Sequence, residues 1–352
     1  MSRETSPDSL TPRDREILKD VVYTYIVHGE PVSSRTVAKH ERHALSSATI
    51  RNVMADLEDV GLLHQPHTSA GRVPTAAGYH LYIRDLMRQQ EVPSRERHYI
   101  ESTLAEVGGS AEDRIEAASQ LLSELSERVG IVLVPAMGAT VLRRIDFVPL
   151  SGTRVLCVIV SSSGFVDNKI VELDEPVSRE DLNRVANYLS ENFGGLSLKK
   201  IRDRLLALMD DERARMDRLL RLVIALGGRT LEAADLPDLK VEGTTELLSQ
   251  PELADVDRVR RLFETFQDKA RLVSLLNQCL EGPGVRAWIG DDTDLTSELD
   301  FSLVATPYRA GHRVIGSLGI MGPSRMQYER VIPLVEFLAA TLSEALVETF
   351  EE

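Results

Sequence analysis

The first strong signal along the chain is a helical period, with Ile17, Leu18, Val21, Val22, Tyr25 and Ile26 recurring on one face. Thr11 precedes that run as an N-cap, with Pro12 in the first turn and Asp14 three residues after the cap, and His28-Gly29 ends it. A short second helix is expected after Ser33-Ser34. Ser46-Ser47 caps a third, whose apolar positions are Ile50, Val53, Met54, Leu57 and Val60 and whose stop is Gly61. Residues 62–65 and 72–73 read as two short strands around the turn-rich 66–71, and Thr75 opens a fourth helix through Leu81, Ile83, Leu86 and Met87. Helix, helix, helix, hairpin, helix is the order of a winged helix-turn-helix unit, here placed at 1–90.

Glu91-Val92-Pro93-Ser94 marks a boundary, after which Ile115, Ala118, Leu122, Leu125 and Val129 return to helical spacing. Strand patterns dominate next, at 131–134, 142–148, 154–160 and 165–173, with a hairpin turn at 161–164. From Ser178 to Leu280 the pattern is almost wholly helical. Strands are expected again at 285–289, 302–306 and 313–320, followed by a final helix carrying Tyr328, Val331, Ile332, Val335, Leu338, Ala339, Leu342 and Leu346. Two strand-rich blocks, each too small for a good sheet alone, predict one α+β domain in two segments, 91–194 and 281–352, interrupted by a largely helical insertion at 195–280. Within it Met216, Leu219, Leu220, Val223 and Ile224 form an apolar stripe that fits either the domain's own core or a subunit interface.

Composition narrows the class. The 352 residues suffice for two or three domains, and 43% apolar with 27% charged residues excludes wholesale disorder. The net charge of −14 excludes a polycationic coat for nucleic acid, but it is unevenly spread: residues 1–90 are balanced in charge, and the whole excess of acid lies beyond them. Cys157 and Cys279 have no CxxC or Cys/His metal spacing and read as small core residues of a reducing compartment. No apolar run approaches the roughly 20 residues of a membrane helix, and the polar start lacks the apolar core of a secretory signal. A cytoplasmic protein is expected.

The third helix carries the candidate chemistry. With Ile50, Val53 and Leu57 buried, Ala48, Asn52 and Ala55 occupy the opposite face, with Thr49 and Arg51 on its shoulders. Small alanines let a helix sit deep in a major groove, Asn can bond adenine through two contacts, and Arg can do so with guanine. Arg35, Lys39 and Arg42 are candidate phosphate contacts, as is Arg72 at the hairpin. The pairs His40/His43 and His64/His67 lack the carboxylate or thiol that would complete a metal set. Asp291, Asp292 and Asp294 miss the glycine and terminal Glu of a calcium loop, and no nucleophile, base and orienter set occurs. Neither an enzyme nor a bound cofactor is expected.

Leu10-Thr11-Pro12-Arg13, Gly29-Glu30-Pro31-Val32-Ser33-Ser34-Arg35, Ser47-Ala48-Thr49-Ile50-Arg51-Asn52-Val53-Met54-Ala55-Asp56-Leu57-Glu58 and Thr68-Ser69-Ala70-Gly71-Arg72-Val73-Pro74-Thr75 together resemble the bacterial heat-inducible repressors of the HrcA family. Glu242-Gly243-Thr244 and Gly322-Pro323-Ser324-Arg325-Met326-Gln327-Tyr328 are similar to that family's later motifs, whereas Asp291-Asp292-Thr293 and Glu298-Leu299-Asp300-Phe301 depart from them. The resemblance implies a winged helix, a GAF-like domain and a dimerising insertion within it. It implies binding as a homodimer to double-stranded DNA at the CIRCE inverted repeat upstream of chaperone operons, release on heat stress, and maintenance of the active form by the chaperonin GroEL. It carries Ser47, Thr49, Arg51 and Asn52 over as recognition-helix residues and Gly71 with Arg72 as the wing. The alternative is a regulator whose GAF-like domain senses a small molecule and so sets DNA affinity.

Overall fold

A computed structural model of the chain describes residues 10–39, 45–68, 70–107, 111–134, 141–162, 166–209, 218–234, 238–247, 260, 269–280, 282, 284–297, 300–311 and 313–351. Helix α1 (Pro12–His28) opens on a full capping box: the Thr11 hydroxyl accepts the Asp14 amide at 3.3 Å, and Asp14 Oδ2 accepts the Thr11 amide at 3.0 Å. Gly29 ends it in the left-handed region at φ 70°, its N–H donating to the Tyr25 carbonyl. Ser33 caps α2 (Ser34–Ala38) and Ser46 caps α3 (Ser47–Asp59), each hydroxyl accepting an amide three residues on. Strands β1 (Leu63–His64) and β2 (Val73–Pro74) pair antiparallel, and α4 (Ala76–Leu81) continues as a π-helical turn, Tyr82–Leu86. This is the winged helix that the hydrophobic pattern predicts.

The next part is built on an antiparallel five-stranded sheet of order β7-β3-β10-β9-β8, from β3 (Val129–Val134), β7 (Asp238–Glu242), β8 (Arg286–Ile289), β9 (Phe301–Ala310) and β10 (Arg313–Pro323). Strand β3 is buried along its whole length. Its side chains alternate between two cores: Val132 and Val134 pack with α6 (Ala111–Ser126) and the C-terminal helix, while Ile131 and Leu133 pack with Leu272 and Leu276 of the helix Lys269–Cys279. The C-terminal helix runs Tyr328–Glu351, and α5 (Ser94–Glu106) joins the same side through Ile100 and Leu104. That first core does not stop at the domain edge. Ile17, Val21, Ile50, Leu57, Tyr79 and Tyr82 of the winged helix belong to the same continuous cluster as Ile115, Leu318, Met326, Tyr328 and Leu342.

A separate unit leaves and rejoins this sheet. Strands β4 (Leu142–Pro149), β5 (Arg154–Ser161) and β6 (Val166–Glu172) form their own three-stranded antiparallel sheet. Helices α7 (Arg179–Phe193), α8 (Leu198–Met209) and α9 (Arg218–Ala234) cover one face, enclosing Ile145, Phe147, Cys157, Ile159, Leu182, Leu189, Ile201, Leu205 and Val223 in a distinct core. The insertion expected at 195–280 is therefore displaced. The chain departs after Val134 and returns at Asp238, and these two residues face each other where β3 pairs with β7. The physical reason is that an alternating strand looks the same whichever sheet it joins; pairing is decided by distant partners. Strand β7 lies in the stretch read as helical, and the unit adds a three-stranded sheet to its helices.

Candidate nucleic-acid interface

The recognition element is α3. Ser46 Oγ accepts the Thr49 amide at 3.2 Å, and the Ser46 and Thr49 hydroxyls lie 3.0 Å apart, so the first turn is closed by its own side chains. Ile50, Val53, Met54 and Leu57 anchor the inner face. Burying four such side chains fixes the rotation of the helix and leaves Ser47, Ala48, Arg51 and Asn52 exposed on one outer surface. Thr49 is half-buried, its hydroxyl drawn into the cap. Beside α3, Arg35 and Lys39 stand exposed on α2 and at its C-cap. Arg42, His40 and His43 lie outside the described residues, and Met216 does also.

The wing is held more tightly than its turn-rich composition suggests. Arg72 donates from Nε and Nη2 to Oε2 of Glu58, in the last turn of α3, at 2.9 and 2.8 Å, leaving its side chain only 15% exposed. Arg72 also exchanges both backbone hydrogen bonds with Val32, each at 2.9 Å. Gly71 permits that approach, since a Cβ there would fall 2.4 Å from the Val32 carbonyl carbon and oxygen. The structure thus brings Ser47, Arg51, Asn52, Arg35 and Lys39 to exposed positions, and turns the Arg72 head inward. Glu58 was not among the candidate residues; an acid on the helix that carries the candidate face was the available signal.

Of the two readings open for the stripe on α9, the contacts of Val223 and Leu219 fit the domain's own core. Val223 is fully buried in the inserted unit's own core, Leu219 packs against that core, and Leu220 is half-buried. An apolar row is left open on the outer face of the three-stranded sheet, where Val148 and Ile170, 44% and 55% exposed, flank the half-buried Leu156.

The seam between winged helix and sheet domain is specific. Tyr79 and Tyr328 meet with ring centroids 5.7 Å apart, Tyr82 Oη donates to Glu329 Oε1 at 2.7 Å, and His80 Nε2 lies 2.6 Å from Asp292 Oδ2. The Gln90 amide donates to the Glu329 carbonyl at 3.0 Å. A cavity of about 110 Å³ lies at this seam between Tyr23, Ile26 and Val27 of α1 and Tyr328 and Glu329.

A capped helix with an exposed Arg-Asn face, flanked by a pinned wing and docked on an α+β body, is the architecture of a winged-helix DNA-binding protein. Residues 9–87 match the family model for the winged helix-turn-helix transcription repressor, HrcA DNA-binding, and residues 112–332 that for the HrcA protein C-terminal domain. The chain belongs to the HrcA family of heat-inducible transcription repressors. It is 42% identical over 344 residues to the heat-inducible transcription repressor HrcA of Xanthomonas campestris pv. campestris, covering 98% of each chain. It is 41% identical over 337 residues to that of Geobacter sulfurreducens, covering 96% of this chain and 98% of the relative. The crystal structure of a hypothetical protein superposes with a TM-score of 0.62 at 25% identity, over 97% of this chain and 99% of the other. Among the described residues no helix is long and apolar enough to cross a membrane.

Proposed function

We propose that this repressor binds the CIRCE inverted repeat as a homodimer in the cytoplasm, at the nucleoid, and silences chaperone operons of the groE and dnaK type. Heat stress releases it, and GroEL promotes its active form. The observation that carries the DNA reading is the outer surface of α3, where Arg51 and Asn52 stand exposed beside Ala48. Ser47 and Thr49 sit at the start of the same helix, Arg35 and Lys39 supply phosphate contacts from α2, and Gly71 with Arg72 sets the wing. Two near-neutral winged helices on one palindrome add their binding free energies, and the acidic remainder of each chain discourages non-specific coating.

The outer face of the β4-β5-β6 sheet is our choice for the dimer contact, because Val148, Leu156 and Ile170 form an apolar row across all three strands, bordered by the Arg144–Asp146 ion pair. Leu219 and Val223, candidates for that contact with Leu220 and Met216, then belong to the core behind that sheet. Ile170→Asp is expected to shift the protein from dimer to monomer in sedimentation without lowering the thermal stability of the monomer; an unchanged dimer refutes this choice of surface.

The test of the whole reading is a salt titration of binding to a CIRCE-type repeat, a half-site and a scrambled duplex, with and without GroEL. Wild type should prefer the full repeat strongly, and Arg51→Ala should lose about 1–3 kcal/mol of that preference. Equal binding to all three duplexes in the presence of GroEL refutes the operator assignment. The ligand-sensing alternative predicts that a small molecule bound to the sheet domain shifts the affinity for the repeat in the same titration.

A further inference from the structure

Glu58 presents a puzzle in a DNA-binding helix. A carboxylate on the element that enters a groove repels phosphate, and near a surface that must approach polyanionic DNA it lowers affinity unless its charge is spent elsewhere. Both of its oxygens are in fact occupied. Oε2 takes the two N–H donors of Arg72, and Oε1 accepts the Gln65 backbone amide at 3.0 Å. Gln65 then spans the wing, its Nε2 donating to the Thr68 carbonyl at 3.2 Å and the Ala70 carbonyl at 2.8 Å. On the far side the Arg72 backbone is locked to Val32, just before α2. One side chain therefore ties both ends of the wing to the last turn of the recognition helix.

We propose that Glu58 is a positioning residue for operator recognition, holding wing and recognition helix as one rigid body, and that Arg72 serves the DNA interface through Glu58 rather than by touching phosphate. This rests on the reading that α3 and the wing face DNA. Charge-assisted bonds of this kind are short and directional, and their geometry belongs to the guanidinium. A lysine at position 72 keeps the charge that phosphate attraction needs but cannot reproduce the two donors on Oε2.

The test uses the full-length protein, in wild-type form and as Glu58→Gln, Arg72→Lys and Arg72→Gln. Affinity for the repeat and for a scrambled duplex is measured across a range of salt concentrations, with thermal melting as a control. Glu58→Gln and Arg72→Lys should each weaken repeat binding about tenfold, leave scrambled binding unchanged or slightly stronger, and keep the wild-type salt slope. The proposal is overturned if Arg72→Lys binds like wild type while Arg72→Gln loses about one phosphate from the salt slope, near 0.9. It is equally overturned if Glu58→Gln strengthens binding to both duplexes alike, which makes Glu58 only a repulsive charge. If wild type itself shows no preference for the repeat, the operator assignment fails instead. The latch is then read from hydrogen exchange of the Gln65 amide, expected at least tenfold faster in Glu58→Gln, and unchanged exchange there overturns it. A variant that melts well below wild type is judged on Arg72→Lys alone, which conserves charge.

Discussion

The winged helix and the inserted unit are both attached to the five-stranded sheet, but in opposite ways. The winged helix shares its core: Tyr79 and Tyr82 belong to one apolar cluster with Met326, Tyr328 and Val331, edged by the polar contacts of Tyr82 and Gln90 with Glu329 and of His80 with Asp292. The inserted unit has a core of its own, closed by α7, α8 and α9 over Val155, Cys157 and Ile159, and is joined to the sheet domain where Val134 faces Asp238. A domain that shares a core cannot reorient without exposing apolar surface, at about 25 cal/mol per Å², whereas a tethered one can move as a unit. The difference assigns the parts distinct mechanical roles. What loosens the sheet domain must disturb α3, while the insertion can keep its fold through that change.

The largest expected effects test this division directly. Tyr328 is fully buried, hydrogen-bonded to Ser302 and the Ser324 carbonyl at 2.7 Å each, and set against Tyr79 with the rings tilted by 59°. Tyr328→Ala should cost about 3–5 kcal/mol and speed hydrogen exchange in α3 and β10 together, leaving α7 protected. Leu182→Ala, in the other core, should cost about 2–5 kcal/mol and show the reverse pattern, with α3 unaffected. If either variant loosens both regions equally, the two cores are one cooperative unit and the comparison fails.

Alkaline pH sharpens the same contrast with a smaller effect. Burial raises the phenols of Tyr79, Tyr308 and Tyr328 above their ordinary range, and burial together with the hydrogen bond to Glu329 does so for Tyr82; all four lie in the shared core. Burial also pushes the Cys279 thiol up to about 12, in the layer behind the sheet. In the unfolded chain the thiol ionises near pH about 8.5 and the phenols near about 10, while the folded chain holds those protons longer. The unfolded state then binds fewer protons, so stability is full below about pH 8.5 and falls as pH rises from there toward 12 and beyond. Thermal melts across pH 8 to 11, a range of about three units bracketing these values, should show the recognition helix losing protection before α7 does. Equal loss in both, or none in either, contradicts the shared burial of these groups.

What the sequence disclosed follows the range of the forces involved. Thr11, Ser33 and Ser46 act within a turn, and the apolar period of α3 is a local pattern, so the winged helix could be read residue by residue. The candidate face of α3 was legible for the same reason: once Ile50, Val53 and Leu57 are inside, Arg51 and Asn52 must be outside. Strand β7 was not, because five residues with only Leu239 and Val241 apolar carry too weak an alternation, and what makes them a strand is β3 alongside. Nor could the α9 stripe declare whether Val223 faced its own domain or another copy, since an amphipathic helix records only that one side is covered. The Arg72–Glu58 pair was hidden for a similar reason: a basic residue near a wing predicts phosphate until its neighbour in space is known.

The smallest effect concerns how the seam is held. His80 and Asp292 meet at 2.6 Å across it, but with 43% and 25% of their side chains exposed they lie where water competes for the contact. Asp292 is in addition engaged locally, accepting the Ile289 amide at 2.7 Å. A double-mutant cycle of His80→Ala and Asp292→Asn should therefore return a coupling of about 0.2–1 kcal/mol, below the cost of losing Tyr328 from the core. The pair then adds direction to a seam whose strength is apolar. A coupling of about 3 kcal/mol or more would reverse the picture: the winged helix would be clasped by charge, salt would free it, and the shared core would be a consequence of docking rather than its cause.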